Sequence, residues 1–153
     1  MRRHFYKLEI NWKGNDKGTE NYSSYSRNFQ LTGFNKPVIE ASADDAFLGD
    51  KSKYNPEELF LSAVSSCHML WYLHICSENG INVLSYRDFP EGDMEEDENG
   101  GRFIHMHLYP VVIVSTDSDI KLANKLHEIA NQKCFIANSC NFPISFNPLV
   151  SAY

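Results

Sequence analysis

The chain opens on a strict alternation. Tyr6, Leu8, Ile10 and Trp12 share one parity and Lys7, Glu9 and Asn11 the other, a period of two that predicts a half-buried strand. Gly14 to Gly18 is turn-rich. Beyond it Tyr25, Arg27, Phe29 and Leu31 oppose Ser24, Ser26, Asn28 and Gln30, so the two runs predict a hairpin. Arg27 thereby stands in register with apolar neighbours. After Pro37 to Ala41 a loop is expected. Asn55-Pro56-Glu57-Glu58 then supplies a capping side chain, a proline at the first helical position and acids where the helix dipole favours them. The predicted helix runs from about Pro56 to Asn79 and stops at Gly80. Phe60, Leu61, Val64, Cys67, Met69, Leu70, Trp71 and Leu73 make it apolar over most of its circumference, which places it in the middle of the structure.

A second hairpin is predicted from Ile81–Met94 and Arg102–Ser115, with Pro110 marking an edge or a bulge. Ser118 and Asp119 cap a second helix, whose Leu122, Ala123, Leu126, Ile129 and Ala130 share one side as it runs toward Cys134. Phe142 to Val150 reads as a last strand. The order of strands, helix, strands, helix and strand implies an α+β fold with mostly antiparallel sheet, in one domain spanning 1–153. There is no internal repeat.

Composition narrows the chemistry. Of 153 residues, 42% are hydrophobic and 22% charged, a globular balance. The formal charge is −6, but the six acids of Glu91, Asp93, Glu95, Glu96, Asp97 and Glu98 account for that excess alone, and they read as a solvated hairpin turn ending in Asn99-Gly100-Gly101. No basic stripe is left to bind nucleic acid. The N-terminus lacks the apolar region of a signal peptide, and no apolar run reaches the roughly 18 residues of a membrane span. The expectation is therefore a soluble, cytoplasmic protein with neither nucleic acid nor membrane as a partner. Four cysteines are too few for a disulfide scaffold, so they point to reactive or merely buried thiols.

Two segments concentrate that chemistry. One runs from Asn55-Pro56-Glu57-Glu58-Leu59-Phe60 through Ser65-Ser66-Cys67-His68-Met69-Leu70; the other is Lys133-Cys134-Phe135-Ile136-Ala137-Asn138-Ser139 followed by Asn141-Phe142-Pro143. Together, in order and spacing, they resemble the OsmC/Ohr family of organic hydroperoxide reductases. The resemblance implies an intertwined homodimer with mostly antiparallel sheets wrapped around central cysteine helices. It also implies a two-cysteine cycle. Cys67 attacks the peroxide oxygen and becomes a sulfenic acid, Cys134 condenses with it to a disulfide, and an external dithiol, lipoyl-type in some members, reduces the bond. No cofactor and no metal are expected.

A peroxidatic thiol must be ionised near neutral pH, and apolar burial opposes that, so a cation is required. Arg27, whose parity turns it inward, is the candidate, with Glu57 as its carboxylate and Lys17, Arg2 and Arg3 as substitutes. Glu57 and Cys67 are ten residues apart, roughly 15 Å along a straight helix. Either the arginine bridges them, the helix is broken, or one group comes from the other subunit.

The remaining candidates have plainer readings. Cys76 lies about 180° around the helix from Cys67 and reads as packing. Cys140 reads as structural, with a resolving role as its alternative. His68 and His74, set beside Cys67 and Cys76, do not converge on one ion, and His105 with His107 lacks a third ligand. Trp71, Tyr72, Phe60 and Phe135 either line an apolar substrate pocket or are core. Two other functions fit the same fold: a redox-sensing or small-molecule-binding module without efficient turnover, and an inert structural dimer.

Overall fold

In the computed structural model, which describes residues 2–153, the chain divides between Leu59 and Phe60 into two units. The first holds the expected hairpin. Strand β1 (Glu9–Trp12) pairs antiparallel with β2 (Phe29–Thr32), Trp12 facing Phe29, and β2 pairs antiparallel with β3 (Ile39–Ala41), a segment to which the sequence pattern assigns no element. The long β1–β2 connection is tied down by the Trp12 indole, whose Nε1 donates to the Ser26 carbonyl at 2.7 Å.

Helix α1 (Pro56–Glu78) begins where its cap predicts. The Asn55 side chain accepts from the Glu58 N–H at 2.7 Å, and the Glu58 carboxylate accepts from the Asn55 N–H at 3.0 Å, a reciprocal capping box. Its end is as legible, since Gly80 takes φ +70°, which a glycine reaches without strain. Ser and His residues interrupt the helix but carry no fixed charge. By length and composition alone, with mean hydropathy 1.4, α1 could therefore cross a membrane, and the expectation that no run reaches that length was too strict. The central helix of a globular protein meets the same test.

The second hairpin is divided. Strand β4 (Val83–Arg87) pairs antiparallel with β7 (Val111–Val114), and β5 (Glu91–Asp97) with β6 (Gly100–Leu108), in separate sheets. Pro90 and Pro110 stand at the break on either side, where a residue without an N–H cannot continue a ladder. The acids of 91–97 lie along the exposed strand β5 rather than in its turn. Helix α2 (Ile120–Lys133) is capped by Asp119, whose carboxylate accepts from Lys121 and Leu122 N–H groups. The expected last strand is two: β8 (Ile144–Phe146) lies parallel to β6, and β9 (Leu149–Ala152) parallel to β7. Pro148 separates them. The result is α+β with mixed sheets of order β4-β7-β9 and β5-β6-β8.

Two apolar clusters follow from that division. Tyr72, Ile75 and Cys76 of α1 pack with Ala123, Leu126 and Ala130 of α2 onto Val112 and Val114 of β7. Val64, one turn before Cys67, packs with Met106 and Leu108 of β6, among Phe60, Ile136, Cys140 and Phe146. Cys67 thus sits on the stretch of helix where one cluster gives way to the other. Asp88, in the link between β4 and β5, fixes the helix there: it accepts from the Ser65 hydroxyl at 2.5 Å and from the Tyr109 N–H at 2.7 Å.

Candidate active site

Cys67 and Cys134 come together. Cys134 ends α2 and is wholly buried, whereas Cys67 is half-buried, and both are free thiols. The Cys134 side chain hydrogen-bonds that of Cys67, and its sulfur lies 4.0 Å from the Val64 carbonyl oxygen. Burial first, and the bond to Cys67 next, push the Cys134 thiol up to about 12, against which the Ala137 N–H, 3.4 Å from its sulfur, works in the opposite direction. Cys134 therefore keeps its proton near neutral pH.

Around Cys67 the surface is aromatic and cationic. Trp71, one turn on along α1 and on the same face, meets Phe135 edge-on, with centroids 5.4 Å apart, and Phe135 is 61% exposed. The Lys133 ammonium lies 5.6 Å from the Trp71 ring centroid.

Arg27 is held in the first unit by two tyrosines. Its guanidinium donates to the carbonyl oxygens of Tyr22 and Tyr25 and stacks over both rings, 4.5 and 3.9 Å from their centroids. Glu57 is half-buried in the first turn of α1, and no ion pair joins it to Arg27 among the described residues. Because α1 is unbroken from Pro56 to Glu78, Glu57 and Cys67 stay about 15 Å apart along its axis. Lys17, Arg2 and Arg3 are exposed.

The other thiols belong to the core. Cys76 is fully buried beside Tyr72, and burial raises its pKa. Cys140 donates to the Ile136 carbonyl at 3.2 Å, and burial raises it too. Among the described residues no three His, Cys, Asp or Glu side chains gather as they would around a metal ion.

The sequence reading missed one buried polar pair. His68 turns away from Cys67 to meet His127 of α2, Nε2 to Nδ1 at 3.0 Å, and His127 stacks on Tyr72 with centroids 3.8 Å apart. The signal was present: His127 falls on the stripe of Ala123, Leu126 and Ala130, and His68 lies four residues from both Val64 and Tyr72. On the outer strands the Ser145 hydroxyl sits between His105 Nε2 at 2.8 Å and His107 Nδ1 at 2.7 Å, which accounts for the shared face of those histidines.

Three three-stranded sheets, a long helix carrying Cys67 and a second helix ending at Cys134 define an α+β protein with a cysteine pair at its candidate site. A sequence profile of OsmC-like proteins matches residues 49–148, and the chain belongs to the OsmC family. An OsmC-like protein of unknown function from Vibrio cholerae superposes with a TM-score of 0.87 at 28% identity, over 96% of this chain and all of that one. An organic hydroperoxide resistance protein from Elizabethkingia anophelis gives 0.67 at 18% identity, covering 99% of this chain and 100% of the other. The organic hydroperoxide resistance protein OsmC from Legionella pneumophila gives 0.67 at 17%, covering 97% and 99%. No curated protein sequence matches the chain significantly.

Proposed function

We propose that the protein is a thiol peroxidase that reduces organic hydroperoxides to alcohols. The Cys67 thiolate attacks the terminal peroxide oxygen and the O–O bond breaks. The alkoxide leaves and takes up a proton as the alcohol, and Cys67 becomes a sulfenic acid. The Cys134 sulfur then attacks that of Cys67, water departs, and a disulfide forms. A dithiol, of lipoyl type in this reading, reduces it and is itself oxidised to a disulfide.

The observation that carries the reading is the Cys134 thiol, fully buried and hydrogen-bonded to the more accessible Cys67. Two thiols in contact with unequal burial suit an attacking and a resolving role. The names of the Elizabethkingia and Legionella proteins point the same way. Arg27 and Glu57, not ion-paired among the described residues, are the activating cation and its carboxylate in this scheme. Since α1 is unbroken, the second subunit of a homodimer supplies that pair to Cys67. Such a dimer would also cover apolar side chains that each unit leaves open, such as Phe5, Ile10 and Leu70. The setting is the cytoplasm, where thiols are kept reduced.

The test is turnover. The reduced protein is expected to consume cumene hydroperoxide in the presence of dihydrolipoamide, faster than hydrogen peroxide, and Cys67→Ser is expected to abolish this. Undiminished consumption by Cys67→Ser would sink the proposal.

A further inference from the structure

The second unit contains five fixed cations: Arg87, Arg102, Lys121, Lys125 and Lys133. Four are placed elsewhere. Arg87 stacks over Phe89, Arg102 stands opposite Glu95 at the acidic hairpin, and Lys121 lies in the first turn of α2, at the far end from Cys134. Lys125 is eight residues, about 12 Å of helix, before Lys133. Lys133 alone adjoins the thiol pair: it precedes Cys134 in the chain, and its ammonium lies over Trp71, the residue one turn from Cys67. No carboxylate holds it in an ion pair among the described residues.

The titratable groups around Cys67 leave room for that role. On α1, His68 is turned inward to His127, and His74 meets Trp71 edge-on and pairs with Glu78 at 3.5 Å. Past the end of α2 the neighbours are thiols, Cys134 against Cys67 and Cys140 in the apolar cluster. Arg27 spends its hydrogen bonds on tyrosine carbonyls.

We infer that Lys133, held over the face of Trp71, is a positioning residue of the peroxidatic site that supports the Cys67 thiolate electrostatically from within the same subunit. It acts alongside whatever cation a partner subunit brings, and the inference rests on Cys67 being the attacking thiol. The ring holds the ammonium one helical turn along from Cys67, and Lys133 is exposed, so the attraction is screened by solvent.

The experiment needs no peroxide, so its failure is distinct from failure of the peroxidase reading. The rate of Cys67 alkylation by iodoacetamide is followed against pH, with peptide mass spectrometry to assign the modified cysteine, in the wild type, Lys133→Met and Lys133→Arg. The midpoint is expected to rise by about half a pH unit in Lys133→Met, roughly a threefold loss of rate at neutral pH. Lys133→Arg should keep the wild-type profile, and 1 M salt should bring Lys133→Met and the wild type together. An unshifted midpoint in Lys133→Met overturns the inference. So does an equal shift in Lys133→Arg, or a difference that survives high salt, because either would mark packing rather than charge.

Discussion

His68 and His127 lie with their rings nearly parallel, 5.3 Å apart at 9°, and share one hydrogen bond of 3.0 Å between helices α1 and α2. Only one can be the donor, so both can be neutral and satisfied at that contact, but not both charged. Burial pulls His68 down to about 4, and burial together with repulsion from His68 pulls His127 down to about 3. In the unfolded chain each would titrate near 6.5. The unfolded state therefore binds more protons as pH falls below 6.5. Stability is full above that value and is lost as pH drops through the interval down to about 3 to 4. Denaturant melts are expected to lose a few kcal/mol between pH 7 and pH 4, with the slope against pH about halved in His127→Leu. A flat profile in the wild type over that range would contradict it.

The capping box at Asn55 is a second handle. Asn55→Ala removes the acceptor for the Glu58 N–H and is expected to cost about 1 kcal/mol, whereas Asn55→Ser should recover most of it. Thermal melts of the two variants give the comparison.

Asp88 holds α1 and the Tyr109 backbone at once. Asp88→Ala leaves both the Ser65 hydroxyl and the Tyr109 N–H without an acceptor, and is expected to cost about 2 to 3 kcal/mol. Ser65→Ala removes one donor only and should cost less than half as much, so the ranking of the two midpoints in urea decides the matter.

If Cys134 resolves the sulfenate, Cys134→Ser should strand it. One equivalent of cumene hydroperoxide is then expected to leave Cys67 reactive toward dimedone in the variant and unreactive in the wild type, read by intact mass. Labelling on any other cysteine would reassign the attacking thiol.

Much of this was legible before any coordinates. The ends of α1 follow from Asn55, Pro56 and Gly80, and the alternation from Tyr6 to Trp12 points to β1, because caps and parity are local properties. What escaped is tertiary. Whether Ile81–Met94 and Arg102–Ser115 make one sheet or two depends on what α1 presents on either side, and Pro90 and Pro110 allow the break without announcing it. The buried histidine pair escaped for the same reason, since each ring looks like a lone polar interruption until the other helix is in place. At the site, the Cys134 position at a helix end was readable from sequence. The tyrosine cradle of Arg27 was not, because backbone carbonyls leave no trace in side-chain pattern.

The parallel strands β8 and β9 bear on how the chain reaches this fold. Each joins a sheet whose other members lie some 35 to 70 residues earlier, with Met106 opposite Ile144 and Val83 and Val114 reaching Ala152 through one ladder. Neither sheet can close until residues 144–152 are free of the ribosome. During synthesis the apolar α1 is therefore exposed over its longest interval, and slow, late closure is the kinetic cost of that topology.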